Sequence, residues 1–395
     1  MRALSLFLPI VALLAACAAT PPAPPVARPD ALFADKLFAP PTERISTAEV
    51  FAMSDAMKRY LAVDIAAQLR TLGSQAGLVE ALYRRAQLKL EYDAATTKTA
   101  AEAFDARSGN CLSLVIMTAA LAHELKLPVR YQSAYLEETW SRDGSLLFAS
   151  GHVNITLGRR IMDAWTTRDM SPLTVDFLPP EDLRRMRVRD ISEETVLAMY
   201  ANNRAAEALA RGRLGDAYAW TVEALRNDPA FMGGYNTLGV VYMRHGNLVL
   251  AEHVFDHVLA SEARNTRALS NLAETYAREG RGAEADATRT RLAAIESVAP
   301  FHFFNLGLEA ARRNDWLAAR DFFAREVERA DYYHEFHFWL GVADWQLGDM
   351  ARASKHLGLA MDNSTTRGQH DLYAAKLDRL KARQKEPGVA RPTGG

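Results

Sequence analysis

The sequence is short of cysteine, of net charge and of long apolar runs. Of its 395 residues only two are cysteine, Cys17 and Cys111, and two cannot build a disulfide framework. Lys and Arg number 47 against 48 Asp and Glu, so no global positive field is available to hold a phosphate backbone. Dedicated nucleic-acid binding is therefore not expected. After the N-terminal segment no stretch approaches the ~20 apolar residues that cross a bilayer. What the chain does have is a 49 % hydrophobic composition, enough for a sizeable core. At about 100 to 200 residues per domain, its length suggests two to four domains.

The first residues carry one charge, Arg2, then an apolar run from Leu4 to Leu14, then Ala15-Ala16-Cys17. This is the layout of a secretory signal, too short to span a bilayer. Leu14-Ala15-Ala16-Cys17 also resembles the bacterial lipobox. The resemblance implies cleavage after residue 16, a lipid on Cys17 and a periplasm-facing protein whose only membrane contact is that anchor. Ala18 after the cysteine resembles the outer-membrane sorting pattern. Residues 17–45 read as a tether, with its Pro/Ala-rich part, AATPPAPPVARPD, at Ala18 to Asp30. The tail, residues 386–395, reads as disordered.

A repeat of 34 residues is evident from about residue 198 to 367. Leu238, Leu272, Leu306 and Leu340 recur in register, each followed by a small residue, Gly239, Ala273, Gly307 and Gly341. Turn residues follow at Gly212, Gly246, Gly280, Asn314 and Gly348. Five further on stand Ala217, Ala251, Ala285, Ala319 and Ala353. About five units of two short helices each are expected, closed by a capping helix over 368–385. Arg289 and Glu326 stand where apolar or small residues are usual. The array resembles the tetratricopeptide repeat, and this implies an all-α solenoid whose groove binds a protein or peptide segment. The dense aromatics from Phe301 to Trp345 read mainly as interhelix core, with a minority in the groove. His253 and His257 share a helical face at metal-ligand spacing, yet no HExxH pattern or nearby cysteine accompanies them, and they read as solvated surface histidines.

Residues 46–190 are of mixed α and β character. Helical periodicity runs from Thr47 to about Leu90, with Leu61, Ile65, Leu69, Val79, Leu82 and Ala86 on apolar faces. Cys111 opens a second helix that runs to Leu125. A helix start carries partial positive charge and unpaired N–H groups, which favour a thiolate and offer the Cys111 N–H to an oxyanion. The alternative is that a lone cysteine is simply a buried small hydrophobe.

A nucleophilic thiol needs a base and a group to orient it. Gly151 to Leu157 alternates polar and apolar, a half-buried strand with His152, Asn154 and Thr156 on one face. Gly158-Arg159 reads as a turn into a returning strand, Arg160 to Trp165. The even separation of His152 and Asp163 would set the two side chains on one face of that hairpin, about 5 to 8 Å apart at Cβ. His123 is no rival base, being twelve residues along the same helix from Cys111, about 18 Å at 1.5 Å per residue.

The Gly109-Asn110-Cys111 helix start, Leu127 to Arg130, His152-Val153-Asn154 and Asp163-Ala164-Trp165 together resemble the transglutaminase-like superfamily, over roughly Tyr92 to Trp165. The resemblance implies an α+β, papain-like domain with Cys111, His152 and Asp163 as a catalytic triad. It also implies acyl transfer on amides, as a hydrolase or a transamidase, with no metal or cofactor required. Asn110, Asn154, Tyr131 and Trp165 are candidates for a second oxyanion donor or the cleft wall. The competing expectation is a non-catalytic scaffold in which this domain is inactive and the repeats recruit partners.

Overall fold

The computed structural model describes residues 29–83, 90–93, 96–135, 140–143, 146–149, 152–158, 172–175, 177, 187–295, 301–364 and 367–385. At the centre of the first part lies α5, Cys111–Glu124, buried at every position from Leu112 to Ala122. A helix apolar all round has to be surrounded. Around it stand α1 (Asp55–Arg59), α2 (Ala66–Leu72), α3 (Ser74–Tyr83) and α4 (Ala100–Ala106). The helical periodicity expected from Thr47 is broken at Gly73, whose φ of +81° separates α2 from α3. Leu61, Ile65 and Leu82 are buried as expected, and Ala86 lies outside the described residues.

Two short strands, β1 (Glu91–Tyr92) and β2 (Ser108–Gly109), pair in parallel just before α5. Next come β3 (Val129–Tyr135), the hairpin of β4 (Trp140–Asp143) and β5 (Leu146–Ala149), then β6 (His152–Leu157), β7 (Leu173–Val175) and β8 (Arg187–Ile191). Four of them form one antiparallel sheet in the order β7-β6-β3-β8. Val153, Ile155 and Leu157 join α5 in one core.

The returning strand expected over Arg160 to Trp165 lies outside the described residues. Over residues 155–157, β6 lies between β3 and β7, with Ile155 opposite Val175 and Leu157 opposite Leu173. Gly158, at φ +100°, donates its N–H to Pro128 O, and β7 takes the edge with Thr174 packed on Thr156.

From Glu193 onward the chain is a series of helix pairs: α6 (Glu193–Ala210) with α7 (Leu214–Asn227), α8 (Met232–His245) with α9 (Leu248–Ser261), and α10 (Thr266–Arg278) with α11 (Gly282–Ala293). After them come α12 (His302–Arg312) with α13 (Trp316–Arg329), α14 (His334–Gln346) with α15 (Met350–Asp362), and the final helix α16 (Arg367–Lys385). This is the repeat solenoid that the 34-residue register implied. Every turn position of that register is left-handed: Gly212, Gly246, Gly280 and Gly348, and also Asn314 at φ +61°. The small residues sit where helices touch, since a Cβ on Gly239 would lie 2.4 Å from the Phe255 ring and one on Gly307 2.4 Å from Phe323.

The solenoid departs from the expected layout in three ways. Its first pair is not a separate unit, because Val196, Ala201, Trp220 and Ala224 share the core built around α5. The array is also divided. One core ends at α10, with Leu292 and Ile295 packed on it, and a second begins at Phe301. The polar surface of α11 accounts for the division: Ala285 is its one buried residue, and Arg289 is exposed and paired with Asp286. Finally, residues 29–45 are no free tether. Two 3-10 turns, Pro29–Leu32 and Asp35–Leu37, lie against the first two pairs, with Phe38 stacked on Tyr218 at 4.1 Å. Residues 1–28, including the signal segment and Cys17, lie outside the described residues.

Candidate functional site

The start of α5 is built by hydrogen bonds rather than by packing. Asn110 caps the helix, its Oδ1 accepting from Ser113 N and from Ser113 Oγ, both at 2.9 Å, while its Nδ2 donates to Thr97 Oγ1. Ser113 Oγ in turn accepts from Lys98 N at 2.8 Å. Gly109 is needed there, because a Cβ would lie 2.7 Å from that of Ser113. Cys111 is the first residue of the helix and half-buried. Asn110 thus serves as the cap of α5.

The other expected site residues fall as follows. His152 is the first residue of β6 and pairs with Ala134 of β3. Asp163 and Trp165 lie outside the described residues. Asn154 is buried at mid-strand opposite Gln132, not on the strand surface. Tyr131 is buried against Phe51, and its hydroxyl donates to Glu193 Oε2 at 2.7 Å. Burial, reinforced by Glu193, pushes that phenol far above its ordinary range, so it stays protonated and acts as a packing and anchoring group.

At the opposite end of α5 an open cavity of about 360 Å³ is lined by His123, Arg130, Tyr131, Asp190, Ser192 and Glu193, among others. His123 Nε2 stands 3.6 Å from Glu193 Oε2, and Arg130 faces Asp190 at 3.8 Å. Sequence reasoning placed His123 on the wrong end of α5 to serve Cys111, and the helix direction bears that out.

On the solenoid, Phe301, Phe304, Phe323 and Phe336 form the core of the last block, while Phe303 is half-buried beneath the guanidiniums of Arg325 and Arg329. His257 packs on Tyr235 with ring centres 4.5 Å apart and His253 is exposed. Among the described residues no helix is long and apolar enough to cross a membrane. The groups that sequence reasoning missed are those holding the N-terminal segment. Tyr218 accepts from Ala34 N at 2.8 Å and donates to Asp35, Tyr242 donates to Leu32 O at 2.6 Å, and Asp216 accepts from Thr42. Glu43 accepts from Trp220 Nε1 at 2.6 Å and meets Arg204 and Arg213. Burial opposes the Glu43 charge, but the indole and the two guanidiniums outweigh it and hold the carboxyl below its usual range.

No protein-family profile matches the sequence, and no curated protein is significantly similar to it. Among solved structures, the chain is similar to Pseudomonas aeruginosa pilF, with 19 % identity over 47 % of this chain and 85 % of that one, at a TM-score of 0.28. It is also similar to YrrB, a TPR protein with an unusual peptide-binding site, with 20 % identity over 45 % and 92 % of the two chains and a TM-score of 0.25. MamA from Desulfovibrio magneticus RS-1 gives 16 % identity over 49 % and 99 %, at 0.26. The repeat assignment stands on this chain's own helix pairs and turn register.

Proposed function

We propose that the chain is a scaffold whose helix-pair repeats bind an extended segment of a partner protein. One observation carries this reading: the first two pairs already hold an extended stretch of chain, residues 29–45, through hydroxyl, carboxylate and indole groups aimed at it. Stacked helix pairs give such a surface without chemistry of their own. The test is a selection of random sixteen-residue peptides against the full chain, with binding read by fluorescence anisotropy. Saturable binding weakened at least tenfold by Arg204→Ala or Arg213→Ala is the expected result. Selected peptides indifferent to every repeat substitution would remove the reading.

A second reading has one observation in its favour, the half-buried Cys111 at the first position of α5. In it the transglutaminase-like resemblance extends to chemistry. The Cys111 thiolate attacks an amide carbonyl, His152 oriented by Asp163 protonates the leaving amine, and the thioester passes its acyl group to water or to an amine. The discriminating measurement is alkylation of Cys111 by iodoacetamide at neutral pH. A triad predicts that His152→Ala and Asp163→Asn each slow it severalfold, whereas equal rates leave the scaffold alone. The lipobox resemblance adds attachment through Cys17 to the outer membrane, facing the periplasm. Palmitate incorporation that persists in Cys17→Ser would refute it.

A further inference from the structure

From residue 30 to residue 46 the N-terminal segment has no buried residue. The groups beneath it are buried: Asp216, Tyr218, Trp220 and Tyr242 are all 5 % exposed or less. A surface segment therefore covers a polar floor.

The floor reads the segment in two ways. Three contacts go to its main chain: Ala34 N–H to the Tyr218 hydroxyl, Leu32 carbonyl from the Tyr242 hydroxyl, and Thr42 N–H to the Asp216 carboxylate. Any extended chain could supply these groups. Two contacts depend on side chains. The Phe38 ring lies flat on Tyr218, and five residues later the Glu43 carboxylate enters the pocket of Trp220, Arg204 and Arg213. Asp216 is itself paired with Arg213 at 2.9 Å. The approach is close, since a Cβ on Gly215 would lie 2.7 Å from Ala39 O.

We propose that residues 29–45 are a built-in occupant of a peptide-docking site on the first two repeats, displaced by a partner segment that presents an aromatic ring and, five residues on, a carboxylate. The inference rests on the scaffold reading and names the partner chemistry of that surface. The segment has no core of its own; its apolar contacts are those of partly buried Leu32, Phe33, Ala34, Phe38 and Ile45, so its release costs less apolar burial than unfolding a helix of the core. Opening exposes the floor's hydroxyls and carboxylate to water, and a ligand that offers the same main-chain groups, a ring and a carboxylate would satisfy them again. A tethered occupant acts at an effective concentration on the order of mM, and it reduces the apparent affinity of a competitor to the fraction of time the site stands open.

The test uses the full chain and a fluorescent peptide of residues 29–47. In the wild type, hydrogen exchange should release the amides of Ala34 and Thr42 at least a hundredfold faster than those of α8. In a chain carrying Phe38→Ala and Glu43→Gln the peptide should bind at least tenfold tighter than to wild type. Adding Gly215→Val, which fills the place of the Ala39 carbonyl, should abolish that binding. Equal protection of the segment and α8 would overturn the proposal without need of any variant. So would a peptide that binds wild type and the weakened chain alike, or neither. A concentration-dependent dimer dissolved by the peptide would make a second copy the occupant and likewise overturn it. If selected peptides still bind the repeats while the segment never opens, the scaffold reading survives and this one falls.

Discussion

Glu326, 2 % exposed, sets its carboxylate against the start of a neighbouring helix, accepting from Phe304 N at 3.1 Å and from Phe303 N at 2.9 Å. It replaces the missing cap of α12, where Phe301 holds a left-handed backbone and offers no side-chain acceptor. Arg329 pairs with the other oxygen at 3.0 Å. The charge thus faces a helix N-terminus and a guanidinium, which is why an acidic residue is tolerated where the repeat usually has an apolar one.

Glu326→Leu should therefore destabilise the last block by about 2 to 4 kcal/mol, since it removes the acceptor of the Phe303 and Phe304 N–H groups, and Glu326→Gln should cost less. Urea unfolding followed by tryptophan fluorescence, which Trp316, Trp339 and Trp345 report, measures the difference. An apolar variant as stable as wild type would contradict the capping role.

Acid should weaken the same block. His337 Nε2 donates to Asp331 O, which leaves its Nδ1 to accept from Nδ1–H of His356 at 3.2 Å. Burial, with Lys355, Arg352 and His337 adding to it, pushes His356 down to about 4, and burial alone pushes His334, on the Tyr373 hydroxyl, down to about 4. Their neutral forms are thus favoured by folding. The unfolded chain takes up protons first, so the stabilisation is whole above about 6.5 and is lost progressively as pH falls towards about 4. Thermal unfolding of wild type between pH 7.5 and 4.5 should show this loss, and His356→Gln should flatten it. A profile unchanged by that substitution would exclude these groups.

Two glycines inside helices should respond oppositely to alanine. Gly239→Ala forces a methyl into the Phe255 ring and should cost about 1 to 3 kcal/mol. Gly358 has nothing within 4 Å of a Cβ and lies inside α15, so Gly358→Ala should stabilise by about 0.5 to 1 kcal/mol. Differential scanning calorimetry of the two variants checks the signs.

Asn110→Ala removes the cap of α5 together with the link to Thr97, and should cost about 1 to 2 kcal/mol. Asn110→Ser, which keeps the capping oxygen, should recover most of it. Failure of serine to rescue would point to the Thr97 contact as the dominant one.

The repeats were legible because their signal is local and recurs: one small residue, one left-handed turn and one alanine every 34 residues fix two helices and the side on which they meet. The helix beginning at Cys111 was legible for a related reason, since Gly109 and Asn110 mark its start. What could not be read depends on partners distant in sequence. Glu43 looks like any linker residue until Trp220 and Arg204, more than 160 positions later, are seen to enclose it. The pairing of β6 with β7 has the same origin, because a turn signal at Gly158 says where a strand stops but not which strand lies beside it. Arg289 and Glu326 were visible as departures from the repeat pattern. One proved to mark the division of the array and the other a cap, and only the neighbouring backbone distinguishes them.

Because Trp220 and Ala224 belong to the interior assembled on α5, a scissor placed after residue 192 would not release two finished pieces. It would open a wound on both sides, exposing apolar surface on the front fragment and on the solenoid alike. The natural seam lies a hundred residues further on, before Phe301, where two interiors already end.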